Sequence, residues 1–183
     1  IKTKTLGQLT ELAEAGLHIA YLGLESGNEQ VLARMNKGET VSEIIEAGRK
    51  VKAAGIALSL TAINGLGGAE MSREHAIDTA KAVSAIKPDY AALLTLRVYT
   101  GTPLADWVEE GSFTLMDPVE LARESRLFLE HVDSEGSVFR SNHASNYLPL
   151  AGTLNADREK MIAQLDAALA GKRRFRSQVE LGF

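Results

Sequence analysis

Three apolar runs in this chain end in residues that can do chemistry. Ala20-Tyr21-Leu22-Gly23-Leu24 leads into the carboxylate of Glu25 and the hydroxyl of Ser26. Ile56 to Ile63 leads into Asn64-Gly65-Leu66-Gly67-Gly68, and Tyr90 to Val98, which carries Arg97, leads into Tyr99-Thr100-Gly101-Thr102-Pro103. A carboxylate can move a proton or accept hydrogen bonds from a ligand, and a guanidinium can grip an anion. Glycine lets the backbone itself approach a ligand closely. Polar groups delivered at the C-terminal ends of strands are what α/β proteins use to build ligand sites.

Other chemistries are excluded or weakly signalled. The chain has no cysteine, so it has no disulfide, thiolate nucleophile or thiolate-held metal cluster of its own. Its histidines and carboxylates show no metal-ligand spacing, so no metal ligands are assigned, and its serines sit in no nucleophile elbow. The run Gly65-Leu66-Gly67-Gly68 lacks the lysine of a P-loop and the spacing of a dinucleotide fingerprint. His18, His75 and His131 fall at element starts or on helices and read as structural or solvated. His143 lies beyond a strand among Asn142, Ser145, Asn146 and Tyr147. Either a substrate-facing role for Asn142, His143 and Tyr147 or plain loop hydrogen bonding fits.

The elements that must position these groups can be read in order. Thr5 caps a helix through Leu6, Leu9, Leu12 and Ala13, stopped at Gly16, and His18 to Ser26 is the first strand. Asn28 caps a short helix, and Thr40-Val41-Ser42-Glu43 is a capping box that starts another. The strand Ile56 to Ile63 precedes a helix from about Ser72, ended by Pro88, and the third strand is Tyr90 to Val98. Pro103 opens a short helix, Asp117-Pro118-Val119-Glu120 a longer one, and Ser137 to Ser141 is a fourth, shorter strand. A last helix spans about Ala156 to Ala170. The basic run Lys172-Arg173-Arg174-Phe175-Arg176 after it reads as a solvated tail.

The βα units recur at roughly 35 to 40 residues, the spacing of a parallel sheet with crossover helices. With three or four strands such a sheet cannot close, so the fold class is α/β. It is either part of a β/α barrel or an open, mostly parallel sheet with flanking helices. Alternation along the strands sends Tyr21, Gly23 and Glu25 inward, with Ser59, Thr61 and Ile63 from the second run. From the third run Thr95, Arg97 and Tyr99 face in, leaving Leu94, Leu96 and Val98 for the helices. Glu25 and Arg97 then meet near the mouth, as a structural ion pair or as ligand contacts.

At 183 residues, with 45% apolar and 24% charged residues, the chain has the size and composition of one globular domain or most of one. A net charge of −4 makes no electrostatic case for nucleic acid. No apolar stretch approaches the roughly 20 residues of a membrane span, and no signal-peptide pattern opens the chain, so the cytoplasm is the expected compartment. The first residue is Ile, just before a helix. This points to a piece of a longer polypeptide.

Taken together, these motifs resemble a family. Tyr21-Leu22-Gly23-Leu24-Glu25-Ser26-Gly27, followed by Val31-Leu32-Ala33-Arg34-Met35-Asn36-Lys37-Gly38-Glu39-Thr40, resembles the fourth strand and next helix of radical S-adenosylmethionine (radical SAM) enzymes. Ile63-Asn64-Gly65-Leu66-Gly67-Gly68-Ala69-Glu70 is similar to the fifth-strand motif, and Leu96 to Pro103 with Leu104 to the sixth. The resemblance covers about residues 5 to 110. It implies the second half of a (β/α)6, TIM-like barrel over residues 1–135, with 136–183 as a C-terminal extension. It also implies S-adenosylmethionine lying across the strand ends. Glu25 and Ser26 would contact its ribose and amino-acid part, and Ile63 and Gly65 its adenine. Ser59 and Thr61 would line the same site, and the backbone from Arg97 to Tyr99 would touch the adenine edge.

The family's cysteine triad, which holds a 4Fe-4S cluster, would lie upstream of Ile1. Position 67 is Gly where proline is usual, Glu70 falls one residue late, and the Gly-Gly-Glu motif is absent. The parent is then expected to be an oxidoreductase that cleaves S-adenosylmethionine to a 5′-deoxyadenosyl radical, and the piece alone to be inactive. Two rival readings stand beside it. One is a cysteine-free aldolase- or isomerase-type barrel using Glu25 or His143 as acid–base and Arg97 as anion grip. The other is a non-catalytic binding or assembly module. Open barrel edges would also let the piece form a homodimer.

Overall fold

The computed structural model describes residues 1–181; residues 182–183, at the end of the expected C-terminal extension, lie outside the described part. Its centre is a five-stranded sheet in the order β1-β2-β3-β4-β5, made of β1 (Ile19–Glu25), β2 (Ala57–Asn64), β3 (Tyr90–Thr95), β4 (Val138–Ser141) and β5 (Leu150–Thr153). The first four strands are parallel, and β5 turns back antiparallel on β4. The connections between the parallel strands carry helices, as parallel pairing requires. These are α2 (Glu29–Arg34), α3 (Val41–Ala53), α4 (Gly68–Ile86), α5 (Pro103–Glu109) and α6 (Pro118–His131); α1 (Leu6–Glu14) precedes β1 and α7 (Arg158–Leu169) follows β5.

Local chemistry starts most helices where the sequence says. The Thr5, Thr40 and Asp117 side chains form complete capping boxes with Gln8, Glu43 and Glu120. Pro103 and Pro118 occupy first-turn positions where a missing N–H costs nothing. α4 begins four residues before the Ser72 start expected from periodicity, because the glycine turn itself winds into it.

Helices cover one face of the sheet. Leu22, Leu60, Ala91 and Phe139 lie in one register row on that face, with Ala62 and Leu93 in the next. They pack against the buried stripes Ile44, Ala47 and Val51 of α3, Ala76, Ala80 and Val83 of α4, and Leu121, Phe128 and Leu129 of α6. Phe128 stacks on Phe139 with ring centroids 6.0 Å apart. The opposite face carries the rows Tyr21–Ser59–Tyr90–Val138 and Gly23–Thr61–Ala92–Arg140 and has no helix layer among the described residues. Tyr21 is 73% exposed there.

Three expectations are corrected. β3 presents Ala91, Leu93 and Thr95 to the helices and Ala92 and Leu94 to the open face, one residue out of phase with the reading above. Its neighbours decide this, since Ala62 and Leu93 share a row, as do Ile63 and Leu94. β3 also stops at Thr95, so Arg97 and Tyr99 lie in an irregular segment to which strand alternation does not apply. Finally, the basic run is not a free tail. Phe175 packs against the core, the Arg176 N–H donates to Tyr147 O at 2.8 Å, and Arg174 pairs with Glu180. From residue 136 onward, β4 and β5 continue the same sheet.

Candidate functional site at the strand ends

The end of β1 is irregular in a way that aims a carboxylate. The pairing with β2 shifts between Gly23 and Glu25, which leaves Leu24 fully buried and puts Glu25 at φ 59°. A left-handed glutamate is uncommon and costs of the order of 1–3 kcal/mol, strain that clusters at functional sites. The bend folds the Glu25 carboxylate back over Gly23 on the open face. A Cβ at position 23 would stand 2.0 Å from Glu25 Oε1, so glycine is needed there for room. Lys37 Nζ, just past α2, donates to Glu25 Oε1 at 3.2 Å. The cation beside Glu25 is thus Lys37, not the Arg97 expected from alternation.

Ser59, Thr61 and Ile63 lie on that same open face, half-buried, in β2 beside Glu25. Ser26 does not join them. It is fully buried, its hydroxyl lies 2.8 Å from His75 Nδ1, and it accepts the Asn28 N–H at 3.0 Å. Its side chain is therefore engaged in the helix layer, away from the open face.

Gly65 opens the turn after β2, and its N–H donates to Glu124 Oε1 at 2.6 Å. Past β3, Leu96 N–H bonds Asn64 O at 2.9 Å, and Arg97 and Tyr99 follow in a groove of about 520 Å³ shared with Met116, Asp117 and Tyr147. So Tyr147 lies with Arg97 and Tyr99, whereas Asn142 and His143 are exposed in the loop before it. His143 Nδ1 accepts the Ser145 N–H at 3.1 Å.

Two residues carry more of the site than their sequence context suggests. His75 of α4 and Glu124 of α6 are 2% and 3% exposed. His75 Nε2 faces Ile63 O at 3.0 Å, so that nitrogen carries the proton and Nδ1 accepts the Ser26 hydroxyl. Glu124 Oε2 accepts the Ser72 hydroxyl at 2.6 Å. Burial pushes His75 down to about 4 and Glu124 up to about 7, so the 3.7 Å approach between them is not an ion pair at neutral pH. One signal for Glu124 was available. It sits on the α6 stripe Leu121, Ser125, Phe128, where an acid needs a partner.

Around this site α2 and α5 are clamped. The Arg34 guanidinium lies over Trp107 and Phe113 at 5.3 and 5.2 Å, and donates to Ser112 O. The Radical SAM superfamily family model matches residues 3–83, which span α1 through most of α4 and include Gly23, Glu25 and the glycine turn. That stretch is similar to radical SAM superfamily sequence. An uncharacterized protein of Methanocaldococcus jannaschii is 29% identical over 133 residues, covering 72% of this chain and 41% of its own length. Among solved structures, Elp3 of Methanocaldococcus infernus with an N-terminal deletion superposes with TM-score 0.63 at 16% identity, over 93% of this chain and 40% of that one. Methylornithine synthase (PylB) superposes with TM-score 0.51 at 19% identity, over 94% and 56%. These two show the shared α/β fold of the partial barrel. The chain spans well under two thirds of each of these proteins.

The radical SAM family implies two groups, and the residues here fit them unequally. With no cysteine, and no cluster of three His, Asp or Glu able to hold a metal among the described residues, the chain offers nothing to a 4Fe-4S cluster. The Glu25 carboxylate on the open face, with room kept by Gly23, fits an S-adenosylmethionine carrying hydroxyl and ammonium donors. No helix among the described residues is long and apolar enough to cross a membrane.

Proposed function

We propose that this chain is the C-terminal part of a radical SAM oxidoreductase core, and that the open face at the ends of β1 and β2 forms part of its S-adenosylmethionine site. The observation that carries the reading is the Glu25 carboxylate, bent over Gly23 by a left-handed backbone inside the radical SAM stretch. A carboxylate so fixed accepts hydrogen bonds from ribose hydroxyls or an ammonium group, and Lys37 orients it. Ser59 and Thr61 supply hydroxyls beside it, and Ile63 an apolar contact next to the Gly65 turn, which suits a purine face. The segment from Arg97 to Tyr99 borders the site, and the groove it shares with Tyr147 is offered to the substrate. Asn142 and His143 remain proposals for the same substrate side.

The bound cofactor supplies the radical chemistry, and this chain positions it and excludes water. Electron supply belongs to cysteines outside this sequence, so the chain alone is inactive.

Titration of the chain with S-adenosylmethionine tests the reading. Binding weakened at least tenfold by Glu25→Ala is the expected result, and equal affinity in the variant overturns the site. Release of 5′-deoxyadenosine by the chain alone, under anaerobic reduction, would overturn the division of labour.

A further inference from the structure

We propose that His75 and Glu124 form the positioning element of this site, holding the Glu25–Ser26 turn and the Gly65 turn in one mutual arrangement; the proposal rests on the cofactor reading above. The two turns end different strands, and side chains from the helix layer bridge them. Ser26 Oγ donates to His75 Nδ1 at 2.8 Å, and His75 Nε2 donates to Ile63 O at 3.0 Å. Glu124 accepts the Gly65 N–H at 2.6 Å and the Ser72 hydroxyl at 2.6 Å, the latter from the turn of α4 that precedes His75. Every bond in the chain of contacts ends on one of the two turns or on α4.

Apolar side chains would fill this space with less desolvation, as replacements of buried polar pairs often do. They would not fix the direction of the Gly65 N–H or the height of the Ser26 hydroxyl, which hydrogen bonds do. The arrangement superficially resembles a serine–histidine–acid triad, but Ser26 is fully buried and its hydroxyl points at Nδ1 under α4. No substrate reaches it. The pair therefore acts through the two turns, as a positioning element and not as a catalytic one. Among the described residues the titratable group facing Glu124 is His75, and Asp78 lies one turn beyond on α4 and acts on His75.

The test uses the intact chain, isotopically labelled for amide NMR, with S-adenosylmethionine as the probe and the variants Glu124→Gln and Glu124→Leu. The expected result in the unaltered chain is a Gly65 amide resonance far downfield that moves as the pH crosses neutrality. Glu124→Gln keeps an oxygen for the Gly65 N–H, so it removes this titration while leaving cofactor affinity within about threefold. Glu124→Leu shifts the Ser26 and Gly27 amides along with Gly65 and weakens S-adenosylmethionine binding about tenfold or more, the loss expected when a charged hydrogen-bond partner is removed.

A Gly65 resonance that still titrates in Glu124→Gln, or Ser26 and Gly27 amides unmoved in Glu124→Leu, overturns the positioning role. If Glu124→Leu does not fold, the Glu124→Gln titration decides alone. A wild-type chain whose Glu25 and Gly65 amides ignore S-adenosylmethionine, yet whose Gly65 follows Glu124, overturns the cofactor reading and leaves the mutual positioning standing.

Discussion

At the scale of single residues, Glu25 trades stability for direction. Asparagine tolerates a left-handed φ better than glutamate. Glu25→Asn should therefore leave the unfolding free energy from urea titration unchanged or raise it, by up to about 1 kcal/mol, while S-adenosylmethionine binding is lost. A parallel fall in both would show that the carboxylate is structural. The buried pair makes a second residue-scale prediction. Glu124 titrates at about 7 in the folded chain against 4.5 unfolded, so its contribution to stability declines as pH rises through that window. His75 titrates at about 4 against 6.5, so its contribution declines as pH falls from about 6.5 to about 4. The two slopes oppose each other in between. Unfolding free energies of His75→Gln should thus gain on the parent chain below pH 6.5, and those of Glu124→Gln above about pH 4.5, each by roughly 1–3 kcal/mol at the far end of its window, read from urea titrations. Parallel pH profiles for parent and variants would contradict this.

At the scale of elements, packing between turns and helices sets the tolerances. Gly27 lies against α4, where a Cβ would stand 2.2 Å from the Asp78 carbonyl oxygen, and its N–H donates to Thr79 Oγ1 at 2.9 Å. Backbone cannot yield as a side-chain tip can, so Gly27→Ala should cost more than about 2 kcal/mol, within the range for overpacking. Arg34 joins α2 to α5 through Trp107, the sole tryptophan. Arg34→Ala should make Trp107 fluorescence more quenchable by acrylamide and lower stability by about 1–2 kcal/mol; unchanged quenching would show that the clamp holds nothing.

Which elements were legible follows the same physics. Helix starts were readable because Thr40, Asp117 and Pro118 act on their immediate neighbours. The phase of β3 was not, since Leu93 and Leu94 are adjacent and only pairing with β2 decides which one is covered. The span Leu150–Thr153 offers one large apolar residue in four and gives no strand signal of its own. Ser59, Thr61 and Ile63 face the open side as alternation expects, whereas Glu25 reaches it through the register shift at Leu24 and its left-handed backbone. Ser26 was misplaced because His75, distant in sequence, claims its hydroxyl.

Across the described residues, the helices cover one face of the sheet, and the other exposes Tyr21 and part of Tyr90. Such a face and the β1 edge invite a partner. The chain is expected to self-associate in sedimentation, with the β1 amides protected from exchange in the associated form. A monomeric chain with unprotected β1 amides would contradict that. A mostly parallel α/β sheet was legible from the repeat of βα units, but not the way it stops. The reversed strand β5 gives the sheet a polarity. A parallel neighbour can be added at β1 without disturbing the alternation of strand and helix, whereas the far side has already turned back on itself. The parallel part of the sheet is thus open to extension at the β1 edge, while its other end is closed off by an antiparallel strand.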